Sequence, residues 1–458
     1  MDFLIYEKHE GKLVPTGVIP TLLAQHIRET ERYFLLDTGG EKPPWYWYDD
    51  NQGIYNRVDK NIVMYEIKKH IEAVDPQLVR TRDLEEVYKL LITDKQRVPI
   101  DLVNTNPDII NFQNGVLEIS SNTLLPHSPE YLSSIQIPCD YNPNAKDCPV
   151  FKQYLKDLAD GNKEVGNLFW EYLALVISNI AGHVTKKALF LIGEGDTGKS
   201  QYLALLAMLV GKRNFAAIDL KNLEERFATN QMRDKRLAGC ADMSFMQISE
   251  LKMFKKLTGG DAITFEAKGK DAISATYNGC LVFCSNAKPN FGGDKGDHVY
   301  RRILAVPCNN VIPDERRDPD ICNKMFAERE AIINTAIGYL RRFIARGNKF
   351  DEPQVCKAFR EEYKRENDNV LMFIEECTKP RDEVDHDATT AHKEFYEIYR
   401  RWATENGFTP LNRVNFVQRL KAAGVTEQRL GHSGTRCYDI ELTAAVIERY
   451  TEWVKNKT

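Results

Sequence analysis

The sequence predicts an α/β fold: a parallel-sheet core bearing a phosphate loop, a mixed α+β N-terminal region, flanking helical segments, and a C-terminal module of winged-helix outline. Three observations predict it. Between Lys186 and Pro307 the apolar runs KALFLIG, RLAGCAD and GCLVFCSN alternate with helices and loops. Runs apolar on both faces with helices between them imply a covered parallel sheet. The first run leads into GEGDTGKS, Gly193 to Ser200. After residue 385, EFYEIYRRWATENGF, TPLNRVNFVQRLKAAGV and GTRCYDIEL read as helix, turn, helix and strand pair.

At 458 residues the chain has room for about three domains. A 43% hydrophobic and 28% charged content excludes global disorder, and a net charge of -4 excludes a protein that coats nucleic acid by charge alone. Ten cysteines thinly spread fit a reducing compartment, and Cys280 and Cys284 read as part of a buried strand, without zinc-ligand spacing. MDFLIYEKHE has neither the basic start nor the apolar core of a signal peptide. The longest apolar run, Tyr202 to Val210, is far short of the ~20 residues that span a bilayer. The expectation is a cytoplasmic protein without a membrane partner.

Residues 1–145 mix strands and helices. WYWYDDNQGIYNRVD reads as a hairpin turning at Asp49–Gly53, and NFQNGVLEIS as a second. Asp101, Asp108 and Asp140 are scattered, so this region reads as a structural or docking module. Residues 146–182 are helical, with Phe151, Leu155 and Leu158 at helical spacing. The sheet core occupies 183–310 and a second helical segment 311–380. The polar, proline-bearing stretch Cys377–Lys393 reads as a linker, and 385–458 as the terminal module.

GEGDTGKS matches G-x-x-x-x-G-K-[ST] between an apolar strand and an apolar helix, the context that motif needs. Its backbone, Gly193, Glu194, Gly195, Asp196, Thr197 and Gly198, would wrap phosphates at a helix N-terminus. Lys199 would reach the β- and γ-phosphates of ATP, and the Ser200 hydroxyl would hold Mg²⁺. Such a loop needs a metal-facing acid on a neighbouring strand, and Asp242 ends RLAGCAD. Asn286, at the tip of the third strand, could orient a water. Arg301 and Arg302 stand before an apolar run, where an arginine could reach a neighbour's γ-phosphate. Thr258, Gly259, Gly260 and Asp261 read as a turn. The strands Ala262–Glu266 and Ala272–Tyr277 then flank Lys268-Gly269-Lys270, a hairpin with a basic tip suited to a phosphate backbone.

From Thr389 to Cys437 the basic residues are Lys393, Arg400, Arg401, Arg413, Arg419, Lys421, Arg429 and Arg436, against Glu394, Glu397, Glu405 and Glu427. A basic module in an acidic chain is a DNA-binding footprint. Asn412 to Ala423 is the candidate recognition helix, with Arg413, Asn415, Gln418 and Arg419 as its exposed readers.

The order GEGDTGKS, KRLAGCAD, KKLTGGD with its hairpin, then CSNAKP and YRRI resembles the superfamily-three helicase domain of phage, plasmid and poxvirus-type primase-helicases, of the AAA+ class. Lys199 to Asp242 spans 43 residues and Asp242 to Asn286 spans 44. The resemblance runs from about Trp45 to the end. It implies an AAA+ core, Asp242 as Walker B acid, Asn286 as sensor, and Arg301 or Arg302 as a finger acting across a subunit boundary. It further implies Lys268 and Lys270 tracking single-stranded DNA in the channel of a homo-hexamer. Two departures stand out. Met243 and Ser244 follow Asp242 where the family often has a second carboxylate, so Asp242 serves alone or another acid such as Glu250 moves in. No catalytic acids of a primase module are visible, so template-directed nucleotide incorporation is not expected, and whether a separate primase partners the chain is left open by the sequence. The reading is an ATP-dependent helicase and replication initiator of a mobile element, acting on single- and double-stranded DNA. An ATP-switched origin binder without turnover, a P-loop small-molecule kinase and a protein-remodelling ring are the alternatives. DNA-stimulated ATPase and strand displacement discriminate among them.

Overall fold

The computed structural model describes residues 3–40, 42–93, 97–243, 247–248, 251–268, 272–291, 297–379, 390–430 and 435–455. Contacts divide the chain into two compact units. The first comprises Met1–Phe245, Leu251–Ala287 and Arg301–Cys356, and the second Met246–Glu250, Lys288–Tyr300 and Lys357–Thr458. The helical stretch expected over 311–380 is thereby shared between them.

The first unit is a mixed α/β structure around a five-stranded, all-parallel sheet. Its strands run in the order Phe215–Ala217, Leu237–Met243, Cys280–Ser285, Ala188–Ile192, Ile303–Pro307. Every residue of ALFLI and CLVFCS is buried, as strands covered on both faces require. Leu189, Leu191, Val282 and Cys284 point into one core with the helices Pro149–Leu158, Lys163–Ile177, Lys199–Leu209 and Arg329–Ala345. On the opposite face Phe190 meets Phe254 edge-on at 6.0 Å and Phe283 at 5.2 Å. Truncating one such side chain would cost about 2–5 kcal/mol. Gly239 is a steric requirement: a Cβ there would lie 1.7 Å from the Val282 carbonyl oxygen of the paired strand.

The N-terminal region of this unit is α+β. The hairpin Trp45–Asp49/Ile54–Val58 forms, its turn held by Asp49 Oδ1 accepting from the Asn51 and Gln52 amides at 2.9 and 3.1 Å. Tyr33–Asp37 pairs antiparallel with the hairpin and parallel with Arg97–Pro99. The second hairpin, Ile109–Phe112/Gly115–Glu118, is extended by Thr123–Leu125. Asp108 accepts from the Ser120 amide and hydroxyl, a turn-fixing role.

The basic hairpin is Ala262–Phe265 paired with Ile273–Thr276. The preceding residues correct the sequence reading. Thr258 and Gly259 are not a turn but the end of the helix Lys252–Gly259, because the left-handed residue that stops it is Gly260, φ +80°. Thr258 Oγ1 donates back to the Phe254 carbonyl at 2.7 Å.

In the second unit the helices Asn369–Cys377, His392–Glu405, Arg413–Ala422 and Ala444–Lys455 enclose a core of Phe373, Phe395, Trp402, Phe416 and Leu420. The strands Glu427–Leu430 and Thr435–Tyr438 form an antiparallel pair. The linker read at Cys377–Lys393 falls largely outside the described residues, but Cys377 closes a helix and Lys379 pairs with Glu441 at 2.7 Å. Among the described residues no helix is long and apolar enough to cross a membrane.

Candidate nucleotide site and basic surfaces

The loop Gly193–Ser200 leaves the C-terminal end of Ala188–Ile192 and opens the helix Lys199–Leu209. Two residues take left-handed backbone, Asp196 at φ +60° and Gly198 at φ +90°, which turns the chain back on itself. Gly193 is packed too closely for any side chain, since a Cβ would sit 1.9 Å from the Cys308 carbonyl oxygen. From the first helix of the core, Tyr154 donates its hydroxyl to the Gly198 carbonyl at 2.8 Å.

Lys199 is 5% exposed and curls into the loop. Its ammonium donates to the Gly193 carbonyl at 2.8 Å, to Thr197 Oγ1 at 3.0 Å and to the Glu194 carbonyl. These oxygens occupy the donors that phosphate oxygens would take. Burial holds the ammonium below the usual lysine range. Ser200 is exposed beside it.

A cleft of about 950 Å³ runs over the loop and brings Lys199, Ser200, Asp242 and Asn286 to one wall. Asp242 and Asn286 are both exposed to it. One expectation needs correction: the acid's strand does not neighbour the loop's strand. Cys280–Ser285 lies between them and pairs with both, so Asp242 reaches the cleft from the next strand but one. The pairing of Leu237–Met243 slips between Cys240 and Met243, at the level of Asp242. Burial pushes the Cys308 thiol behind the loop up to about 12, so it is an inert thiol.

Sequence reading missed Arg316 and Arg317, which line the same cleft. Arg317 pairs with Asp196 of the loop at 2.9 Å and with Asp314 at 2.7 Å, while Arg316 pairs with Asp157 at 2.7 Å. The chain leaving the edge strand lies against the loop, and the Ile312 amide donates to the Asp196 carbonyl at 3.0 Å. The doublet in DERRD was the available signal, but no spacing rule ties it to residue 196.

The other predicted residues fall elsewhere. Arg301 and Arg302 precede Ile303, at the end of the sheet away from the loop, because Ala188 pairs with Ile303 and Ile192 with Pro307. Neither lines the cleft. Lys268 is exposed beyond the hairpin's first strand, whereas Lys270 and the alternative acid Glu250 lie outside the described residues. Arg226 grips Glu266, on the tip side of the hairpin's first strand, at 2.6 Å, and Thr229 Oγ1 donates to the Thr264 carbonyl at 2.8 Å, so the hairpin is braced from the preceding segment.

On the helix Arg413–Ala422, capped by Asn412, residues Arg413, Asn415 and Gln418 are exposed. Arg419 is not a free reader. Its Nε donates to Asp368 Oδ2 at 2.6 Å, and Asp368, with a side chain 2% exposed, caps the helix Asn369–Cys377.

A glycine loop matching G-x-x-x-x-G-K-[ST] at the strand ends of a parallel sheet, with an acid and an amide turned to the same cleft, makes this a mixed α/β protein with a candidate nucleotide site. The particular relatives are narrower. Residues 24–159 match the family described as D5 N terminal like, residues 365–427 the family described as Poxvirus D5 protein-like, and residues 191–302 a family of unknown function, DUF5906. The chain is similar to the protein named "Putative primase C962R" of African swine fever virus, in the Tick/Malawi isolate and the Badajoz strain alike. Each is 23% identical over 393 residues, covering 80% of this chain and 38% of the viral protein. The chain thus spans well under half the length of these curated relatives. Two solved structures of the NrS-1 C terminal region share the fold at a TM-score of 0.50. One is 12% identical and covers 93% of this chain and 100% of that one, and the other is 13% identical with 92% and 99% covered. Two segments are therefore similar to D5-like families, and four fifths of the chain to part of a viral protein named as a putative primase.

Proposed function

We propose that the chain is an ATP-driven DNA motor of the superfamily-three, AAA+ type, acting in replication as a homo-hexameric ring. The observation that carries this is the convergence of Lys199, Ser200, Asp242 and Asn286 on one cleft over the glycine loop. The donor set suits a magnesium triphosphate. Lys199 would exchange loop oxygens for phosphate oxygens, the loop amides would bind the phosphate chain, and Ser200 and Asp242 would hold Mg²⁺, which supplies charge neutralisation. Asn286 would orient the attacking water, and Asp242 is the acid available beside it. Arg301 or Arg302, remote from the chain's own loop, suits service to a neighbouring subunit's nucleotide. Lys268, with Lys270 next along the tip, would carry the DNA strand. The helix-turn-helix and strand pair of the second unit support a winged-helix reading, with Arg413, Asn415 and Gln418 toward duplex DNA. The domain plan is then 1–145, 146–182, a motor over 183–310, 311–380, and a DNA-binding module over 385–458. A cytoplasmic site of action and a separate primase partner complete the proposal.

The test is ATP turnover with and without single-stranded DNA, paired with displacement on a forked duplex and light-scattering mass. Stimulated turnover and displacement by an oligomer are expected, both lost in Lys199→Ala. Turnover indifferent to DNA, or displacement surviving in Lys199→Ala, would remove the motor assignment.

A further inference from the structure

At the other end of the parallel sheet from the phosphate loop, a small cavity of about 90 Å³ lies between the N-terminal region and the root of the hairpin. Leu36, Tyr46 and Ile100 line one side, and Arg233 and Tyr277 the other. It has room for about three waters, far less than the about 300–1,000 Å³ of sites for larger ligands.

Its lining sets one carboxylate, Asp234, beside the cations Arg233, Lys235 and Arg236. Arg233 is 9% exposed, yet its Nε and Nη2 find no hydrogen-bond acceptor among the described residues. Asp234 stands 3.6 Å from Nε, outside hydrogen-bond reach. That carboxylate is already engaged by Arg57 at 2.9 Å and by the Tyr46 hydroxyl. Tyr277 is 4% exposed, and its hydroxyl likewise has no partner among the described residues. Arg236, also on the lining, is the contrast. Its guanidinium donates to the Val176, Asn278, Leu175 and Ile180 carbonyls at 3.0, 2.7, 2.5 and 2.7 Å. One buried arginine is fully answered by backbone oxygens and its near neighbour is not. Buried donors without acceptors are costly and rare, so two guanidinium N–H groups and a neutral hydroxyl lacking acceptors at one cavity call for a ligand that accepts hydrogen bonds. With the adjacent carboxylate, Asp234, shared between Arg233 and Arg57, that ligand can carry negative charge.

We propose that this cavity binds one small oxyanion of the phosphate class, held by Arg233 Nε and Nη2 and by the Tyr277 hydroxyl. Tyr277 directly follows the hairpin strand Ile273–Thr276 at its root, and Ala275 and Thr276 of that strand also line the cavity. The bound ion would therefore tie the hairpin root to the N-terminal sheet and fix the base from which Lys268 projects. This site is independent of the nucleotide cleft, and its failure would leave the motor proposal untouched.

The experiment uses the full chain carrying Lys199→Ala, so that the phosphate loop does not report. Inorganic phosphate is titrated by calorimetry in a phosphate-free buffer, with thermal unfolding followed in parallel. Saturable binding and a rise in Tm are expected. Arg233→Gln should weaken binding at least tenfold. Tyr277→Phe, which removes only the hydroxyl and is the control should the arginine variant fold poorly, should weaken it severalfold. No saturable binding, or binding unchanged in Tyr277→Phe, would overturn the site and leave a water-filled cavity. A short single-stranded oligonucleotide then names the source: displacement of phosphate assigns the oxyanion to a DNA backbone, and no displacement assigns it to a free ion.

Discussion

Two arginine–carboxylate pairs, one in each unit, show how burial decides what a charge is for. At the phosphate loop Arg317 meets Asp196 with both side chains open to solvent, 44% and 59% exposed. In the second unit Arg419 meets an Asp368 side chain that is 2% exposed. An exposed pair holds little energy, about 0–1 kcal/mol, and either partner exchanges readily for a ligand. Breaking a buried pair strands a desolvated charge, so its members are committed to the fold. Arg419 read as functional from sequence and Arg317 was missed, yet only the one by the loop is free to trade its partner.

The largest expected effect is on chemistry. Lys199→Ala removes the one cation inside the loop and should lower ATP turnover on the order of 10²–10³-fold, the range for losing one preorganised electrostatic contact. Its unfolding midpoint in denaturant should stay near that of the parent chain. A large loss of stability would show that Lys199 is structural like Arg419 and would dissolve the contrast between the two regions.

Next comes Arg419→Ala. It leaves the Asp368 carboxylate buried without its cation, and should cost about 3 kcal/mol, the lower part of the range because Arg419 keeps some exposure. Asp196→Asn, which breaks the exposed pair while keeping a side chain that tolerates the left-handed backbone, should cost under about 1 kcal/mol. Denaturant unfolding measures both, the Arg419 variant through the second unit's signal and the Asp196 variant through the first unit's. Equal costs would mean that exposure does not separate the two pairs.

A smaller effect tests the recognition helix. Arg413 is exposed, and Arg413→Ala should change stability by less than about 0.5 kcal/mol. If Arg413 meets a DNA phosphate, the slope of log affinity against log salt should fall by about 1. An unchanged slope together with unchanged affinity would remove this helix from the DNA surface.

How much of this was legible beforehand depends on what each residue answers to. The strands Ala188–Ile192 and Cys280–Ser285 were legible because both faces are covered, which forces continuous apolar runs. Phe215–Ala217 was not, being three residues of an edge strand, too short to carry a period. Ile303–Pro307 was visible only as an apolar run behind Arg302. Loop chemistry is local, so Lys199 and Ser200 could be read directly, and Asp242 and Asn286 followed from strand ends. Which strands adjoin is a matter of topology, and no local pattern announces that Cys280–Ser285 inserts between the loop and the acid. Arg316 and Arg317 were missed for the same reason. Arg419 is different: the signal existed. It lies three residues after buried Phe416 and one before buried Leu420, so helical spacing turns it to the packed face. Counting its charge and ignoring its phase produced the wrong side.

The last prediction is smallest near neutral pH and sharpens the contrast by titration. Arg317 and Arg419 stay charged at any working pH, but Lys199 can lose its proton. Burial holds its ammonium below the usual lysine value of 10.5. The sign follows from the lowered value. Between the folded and unfolded pKa the unfolded chain binds more protons, so the nucleotide-free fold gains stability as pH rises through that window. Phosphate favours the charged ammonium, so ATP affinity should fall as pH rises past the folded value, approaching tenfold per pH unit well above it. Lys199→Arg, which keeps its charge, should remove that alkaline decline even if its absolute affinity is weaker. A decline of the same steepness in Lys199→Arg would place the titrating group elsewhere, and the loop lysine would then not be the residue that senses the phosphate.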